Sequence, residues 1–81
     1  MSTRYEYRVC QTQQSKVTFV NGQWSGNRPM NAEKVDDSLA TCSSTWDYLY
    51  DAGREGWELV ATSVILQTPP YEVIYLRRIL D

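Results

Sequence analysis

The sequence contains no histidine and only two cysteines. Histidine is the commonest general base and a frequent metal ligand, so its absence removes most arrangements of residues that would predict catalysis or metal binding. Cys10 and Cys42 lack the Cys-x-x-Cys spacing of a zinc site or a redox pair, and we expect them to be reduced thiols that pack as small apolar groups. The sequence therefore predicts a protein that is not an enzyme, with no catalytic residue, no metal and no cofactor.

Two pairs of carboxylates remain as alternative candidates for acid-base or divalent-ion chemistry. They are Asp36 with Asp37, and Asp47 with Asp51. Asp47 and Asp51 follow the predicted start of a helix, where the helix dipole favours carboxylates for structural reasons alone. We favour that structural interpretation over a catalytic one.

Long apolar runs and an excess of one charge are also absent. Eight basic and ten acidic side chains give a net charge of −2, which disfavours nonspecific nucleic-acid binding. No run approaches the roughly 18 apolar residues of a membrane span, and Met1–Glu6 is polar where a signal peptide would be apolar. We expect a soluble, cytoplasmic protein that binds neither membranes nor nucleic acids.

Large aromatic side chains, by contrast, are plentiful: three Trp, six Tyr and one Phe. Each can bury on the order of 150–250 Å2, which compensates for the small size of the chain. A length of 81 residues suffices for one domain, residues 1–81, and is too short for two. We therefore expect a single aromatic-rich core.

The first half of the chain shows strand and hairpin patterns. Apolar and polar residues alternate over Tyr5–Cys10, which predicts a strand with Tyr5, Tyr7 and Val9 on one face. Asn21-Gly22 lies between two β-type segments and predicts a type I′ hairpin turn, with Phe19 close to Trp24 across the ladder. Residues 27–42 contain a proline and only a weak helical pattern, so we interpret them as a loop with at most one short helical turn.

A helix is predicted to begin at Ser44-Thr45-Trp46-Asp47, which has the form of a capping box. Gly56 is placed to end it, because glycine readily adopts the left-handed conformation that closes a helix. Helical spacing puts the following residues on the predicted buried face: Trp46, Leu49, Tyr50 and Gly53.

The segment Trp57–Leu66 is apolar and β-branched, and we interpret it as the central strand. Turn residues follow, and Tyr71–Arg78 predicts a strand that returns beside it. The predicted fold is α+β: an antiparallel sheet of about five strands in the order β-β-β-α-β-β, with one helix on one face. Its expected core consists of Trp46, Leu49, Gly53, Trp57, Leu59 and either Val73 or Ile74.

Three segments, Tyr5–Val9, Gly53–Val60 and Tyr75–Arg78, resemble domain-of-unknown-function family 4177, a set of small bacterial and phage proteins. The resemblance implies a strand, a helix that ends in the Gly-Arg-Glu-Gly-Trp-Glu-Leu-Val run, and a final hairpin, and it implies no activity. The residues to which we assign a structural role are Trp46, Gly53, Gly56 and Trp57. In the alternative, the two glycines shape a ligand pocket, but no phosphate-loop spacing is present.

Arginine and tyrosine side chains on the first and last strands suggest a ligand site. If these strands are neighbours, the guanidinium groups could bind an anion while the rings stack on a nucleotide-like molecule. The residues concerned are Arg8, Arg77, Arg78, Tyr7 and Tyr75. Cross-strand pairing of these arginines with Glu6, Glu58 or Glu72 explains them without a ligand, and we favour that interpretation.

For function, the sequence favours a non-catalytic interaction or assembly domain that forms a homo-oligomer, most simply a dimer. One helix cannot cover all the aromatic rings, so we expect the rest to be covered by the hairpin, a second subunit or a ligand. Phe19 and Trp24 are the candidate interface residues. The alternative is a protein that binds or sequesters a small anionic or nucleotide-like molecule, of the kind that phages encode.

Overall fold

The computed structural model describes residues 2–29, 31 and 33–80. Within them, the elements are β1 (Arg4–Gln13), β2 (Lys16–Val20), β3 (Gln23–Trp24), α1 (Val35–Leu39), α2 (Thr45–Arg54), β4 (Glu58–Ile65) and β5 (Tyr71–Leu80). The strands form one sheet in the order β3-β2-β1-β5-β4, with antiparallel neighbours throughout. Because α2 packs on one face of this sheet, the predicted α+β fold class is confirmed.

Two tight turns build the first half of the sheet. Asn21 and Gly22 have positive φ angles of 49° and 82°, as the predicted type I′ turn requires. Gln14 and Ser15 also have positive φ angles, 52° and 61°, and form a second two-residue turn that joins β1 to β2. This turn was not predicted from the sequence, because neither residue type favours positive φ and only the strand pairing imposes it.

β4 lies at the edge of the sheet, so its predicted central position is wrong. β5 pairs along almost its whole length with β1, from Arg4 opposite Leu80 to Thr12 opposite Glu72, and therefore occupies the central place beside β1. β4 can then pair only with the other side of β5. Its apolar composition suggested burial on both faces, whereas Leu59 and Val64 are 48% and 58% exposed.

Both predicted ends of the long helix α2 are confirmed. The Ser44 hydroxyl accepts a hydrogen bond from the Asp47 N–H at 3.2 Å, which satisfies one of the free donors of the first turn. At the other end Gly56 has a φ of +92°. The Gly56 N–H donates to the Gly53 carbonyl and the Trp57 N–H to the Ala52 carbonyl, each at 3.0 Å, so the helix closes in a Schellman motif.

The core lies between α2 and the middle strands. Its buried residues are Cys10, Val17, Ala52, Trp57, Ile74 and Leu76, and Val20, Tyr48 and Leu49 pack against them. The predictions for Trp57, Ile74 and Leu49 are thus confirmed. The residues of α2 that face the sheet are spaced three and four apart, as an amphipathic helix requires.

Three residues expected in the core lie outside it. Trp46 is 76% exposed, and a Cβ built on Gly53 would meet no atom within 4 Å, so both lie on the outer side of α2. Leu59 belongs to the exposed edge strand. The prediction placed the large rings of Trp46 and Tyr50 on the buried face of the helix, but both are exposed. The small side chain of Ala52 packs in the core instead.

The segment 27–42, predicted as a loop with at most one short helical turn, contains α1. This helix has five residues, of which Ser38 and Leu39 are buried. The Ser38 hydroxyl accepts a hydrogen bond from the Asn31 N–H at 3.1 Å and donates to the Pro29 carbonyl at 3.1 Å, so it ties the segment together. Met30 and Ala32 fall outside the described residues.

Candidate interaction surface

The sheet has one face without a helix, which we call the open face. Cys10 and Ile74 are cross-strand partners that lie in the core under α2. Side chains alternate along a strand, so the odd-numbered residues of β1 and β5 point to the open face. Gln11 of β1 pairs with Phe19 of β2, and Phe19 pairs with Trp24 of β3, so Phe19 and Trp24 lie on the same face. Its large apolar and aromatic side chains are Tyr5, Tyr7, Val9, Phe19, Trp24, Ile65, Tyr71, Val73, Tyr75 and Ile79.

Several of these side chains are in contact with solvent. Tyr7 is 61%, Ile79 58% and Val9 42% exposed, and all three lie on the two central strands. The predicted hairpin does not cover them, because β2 and β3 continue the sheet in its own plane. The open face is therefore a broad aromatic and aliphatic surface that the described residues leave uncovered.

The predicted interface residues Phe19 and Trp24 lie at one end of the open face. They are direct cross-strand partners, as predicted, and their rings meet edge to face with centroids 5.5 Å apart. The Trp24 Nε1 donates a hydrogen bond to the Arg28 carbonyl at 2.7 Å. Both side chains are half-buried and held in place within the chain.

Arg77 lies toward the other end of the open face, among tyrosines. Its guanidinium carbon is 4.5 Å from the centroid of Tyr5, whose ring is 6.5 Å from that of Tyr7. The Arg77 Nε donates a hydrogen bond to Glu58 Oε1 at 2.6 Å, and this bond raises the pKa of Arg77. The pairing interpretation is thus correct for Arg77 and Glu58. Tyr75 pairs with Val9 on the same face.

Arg8 and Arg78 lie on the opposite side of the sheet, so the structure does not bring the three predicted arginines together. Their guanidinium carbons are 4.3 and 4.5 Å from the ring centroid of Trp57. Arg8 donates a hydrogen bond to the Tyr48 hydroxyl at 2.9 Å. Arg78 donates to Glu6 Oε1 at 2.6 Å and to the Glu55 carbonyl at 3.1 Å. Both side chains thus contact α2 or the residues just after it, and both pack on the indole ring of Trp57.

The buried thiol of Cys10 and the half-buried phenol of Tyr48, beside this cluster, are hard to ionise. Burial raises the pKa of Tyr48 to about 12, and the hydrogen bond with Cys10 acts in the same direction. Burial also raises the pKa of Cys10. Because only the thiolate is an effective nucleophile, this environment disfavours covalent chemistry at Cys10. Cys42 is likewise a buried free thiol.

Two hollows on the described surface are not lined by the predicted ligand residues. One, of about 420 Å3, follows Glu33–Asp37, whose acidic side chains disfavour an anion. The second, of about 110 Å3, lies between the β1–β2 turn, α1 and the β4–β5 turn, and Val35, Leu39 and Pro69 line it. It is smaller than the roughly 300 Å3 at which small-molecule pockets begin. The ligand-binding role of Arg8, Arg77, Arg78, Tyr7 and Tyr75 stays a prediction.

The described residues form neither a metal-binding cluster nor a membrane-spanning helix. Over 2–29, 31 and 33–80, no group of three or more acidic or thiol side chains lies close enough to hold a metal ion. Within these ranges, neither α1 nor α2 combines the length and apolar character needed to cross a bilayer.

Part of the exposed apolar surface was not predicted from the sequence. The alternation in β1 predicts Tyr5, Tyr7 and Val9 on one face, where the structure also has them, but Ile79 was overlooked. The apolar residues of β4 were assigned to the interior. No pattern within β4 itself identifies it as an edge, because position in a sheet depends on the pairing of the whole chain.

Comparisons with protein-family models, with curated proteins and with solved structures found no match. The resemblance to domain-of-unknown-function family 4177 therefore stays a prediction from the sequence.

Proposed function

We propose that this chain is a non-catalytic assembly domain that associates with a second copy of itself through the open face. The observation that carries the proposal is the exposure of Tyr7, Val9 and Ile79 on the central strands, opposite the only helix that packs on the described sheet. Contiguous apolar patches of this kind on soluble chains are typical of interaction sites. A homodimer is the simplest closed arrangement that covers such a patch on every copy.

Charge supports a second copy as the partner. The charged residues Arg77 and Glu58 are cross-strand partners and neutralise each other within one chain. Two open faces can therefore meet without placing unpaired like charges together, which would otherwise oppose association. The tyrosines offer rigid rings with polar tips, a side-chain type that is enriched in protein interfaces.

The alternative, a small anionic ligand, has weaker support. A ligand site is normally concave, and the hollows lie away from the predicted arginines. Each of these arginines already donates to an acceptor of its own chain: Arg8 to Tyr48, Arg77 to Glu58 and Arg78 to Glu6. A ligand would have to displace those contacts.

Light scattering coupled to size-exclusion chromatography tests the proposal. We expect the wild type to have a mass above that of one chain, and Tyr7→Glu to weaken the association by about tenfold or more, because it buries a carboxylate in an apolar contact. Tyr50→Glu is the matched control, since Tyr50 is 56% exposed on the outer side of α2. A wild type that stays monomeric at all concentrations, or an unchanged association of Tyr7→Glu, contradicts the proposal.

A thermal-shift screen with nucleotides and other anionic metabolites tests the alternative. If the chain is an assembly domain only, no compound should raise the melting temperature. A rise that disappears in Arg77→Gln would favour the ligand-binding function instead.

A further inference from the structure

β4 presents a long free edge. One side of the strand pairs with β5 from Glu58 opposite Arg77 to Ile65 opposite Tyr71. On the other side, the described part of the chain places no strand. Every second N–H and C=O of an edge strand points outward and can pair with another strand. β4 therefore carries unused pairing capacity along most of its eight residues.

The edge also lacks the usual protection against pairing. Natural edge strands are commonly blocked by lysine, by inward-pointing charges or by proline. Residues 59–66 read Leu-Val-Ala-Thr-Ser-Val-Ile-Leu and contain none of these. Exposed apolar side chains follow one another along the strand, with Leu59 48%, Val60 45% and Val64 58% exposed, and Leu66 directly after it is 88% exposed. The only device present is the irregular pairing between Leu59 and Ala61.

The opposite edge of the sheet is different. It is formed by β3, which has only two residues, Gln23 and Trp24. A strand that short cannot match the length of β4. A head-to-tail arrangement, in which β4 of one copy pairs with β3 of the next, would leave most of β4 unpaired.

We infer that β4 is a pairing strand, and that it binds β4 of a second copy in antiparallel orientation about a two-fold axis perpendicular to the sheet. The two five-stranded sheets then join into one continuous sheet, with both copies of α2 on one side and both open faces on the other. The inference rests on the self-association proposed above, but it uses a different surface. The edge contact and the open-face contact can therefore each form without the other.

Symmetry and charge favour a second copy over another partner. Pairing about a two-fold axis uses the long edge of both copies and closes, whereas repeated addition would produce a filament. Glu58 is the one charged residue of β4 and lies at its first position. Antiparallel pairing places the two Glu58 side chains at opposite ends of the contact, so two uncharged strands meet without electrostatic opposition.

Lysine substitutions on the edge test this inference by sedimentation velocity. Val64→Lys and Thr62→Lys each add a charge to an exposed position of β4 and should weaken the association by about tenfold or more. Val35→Lys makes the same change on α1, where Val35 is 38% exposed, and should leave the association constant unchanged. Circular dichroism of each variant shows that the fold is retained.

Cross-linking gives an independent measurement. Ser63 lies near the middle of the uncharged run, so Ser63→Cys should come close to its own copy across the two-fold axis and form an intermolecular disulfide rapidly under mild oxidation. Val35→Cys is the control and should cross-link slowly. The native thiols Cys10 and Cys42 are buried and should not compete.

The outcomes separate the two contacts. If the lysine variants on β4 associate like the wild type while Tyr7→Glu does not, the edge inference is overturned and the open-face proposal stands. Weakening by Val64→Lys together with fast Ser63→Cys cross-linking supports the edge contact. Cross-linking of Ser63→Cys no faster than that of Val35→Cys overturns it.

Discussion

The guanidinium carbon of Arg8 lies 4.3 Å from the ring centroid of Trp57. Arg8 belongs to β1, and Trp57 lies between the end of α2 and the start of β4, so this contact fixes the end of the helix against the first strand. Arg78 of the last strand approaches the same indole to 4.5 Å. The strands that carry these arginines are neighbours over almost their whole length. Trp57 therefore connects the helix end, the first strand and the last strand.

We expect Trp46, which lies in α2, and Trp57, which follows it, to differ sharply in their effect on stability. Trp57 is 8% exposed, and Trp57→Ala should lower the free energy of unfolding by about 3–5 kcal/mol, because it leaves a large cavity in a small core. Trp46 is 76% exposed, and Trp46→Ala should change it by less than about 0.5 kcal/mol. Urea unfolding measures both. Equal losses of unfolding free energy in the two variants would contradict the orientation of α2, in which Trp46 faces solvent.

Alanine substitutions at Gly53 and Gly56 should change the free energy of unfolding in opposite directions. Gly56 has a φ of +92°, so Gly56→Ala should cost about 1–2 kcal/mol through backbone strain. Gly53 lies within α2 with open space around its Cβ position, and Gly53→Ala should stabilise the protein by about 0.5–1 kcal/mol through helix propensity. Thermal melts of both variants suffice, since about 1 kcal/mol corresponds to roughly 4–8 °C at this size.

Alkaline pH should destabilise the protein through Tyr48. Its pKa is raised to about 12 in the folded chain, against about 10 in an unfolded one. The contribution of Tyr48 to stability is complete below about pH 10, and it falls as the pH rises toward 12, because only the unfolded chain then releases the proton. Tyr48→Phe should show a weaker loss of melting temperature over this window, and the exposed control Tyr50→Phe should follow the wild type. Identical pH profiles for all three proteins would contradict the raised pKa of the half-buried Tyr48 phenol.

The melting temperature should not depend on reductant. Cys10 and Cys42 are buried free thiols, so no disulfide contributes to the folded state. Differential scanning fluorimetry with and without a thiol reductant checks this. A drop of about 10 °C would mean that a covalent bond stabilises the fold, since such a shift corresponds to one or more kcal/mol.

Much of the local structure could be predicted because it depends on neighbouring residues. The Asn21-Gly22 turn, the cap at Ser44 and the helix end at Gly56 each follow from the conformational preference or hydrogen bonding of a few residues. The pairing of Phe19 with Trp24 follows from that turn, because a two-residue loop sets the register. The fold class followed from the same signals read in order.

The tertiary structure alone decided where each surface lies. The sequence predicts Arg8, Arg77 and Arg78 as one group. Side chains alternate along β5, however, so Arg77 lies on the open face and Arg78 lies against Trp57 on the other face. The sequence shows Trp57–Leu66 as an apolar segment, yet the long pairing of β1 with β5 leaves β4 at the edge. Local preferences determine turns and caps, whereas strand order and helix rotation depend on how the whole chain buries its core. For that reason the exposed edge of β4 and the exposure of Trp46 could not be predicted from the sequence alone.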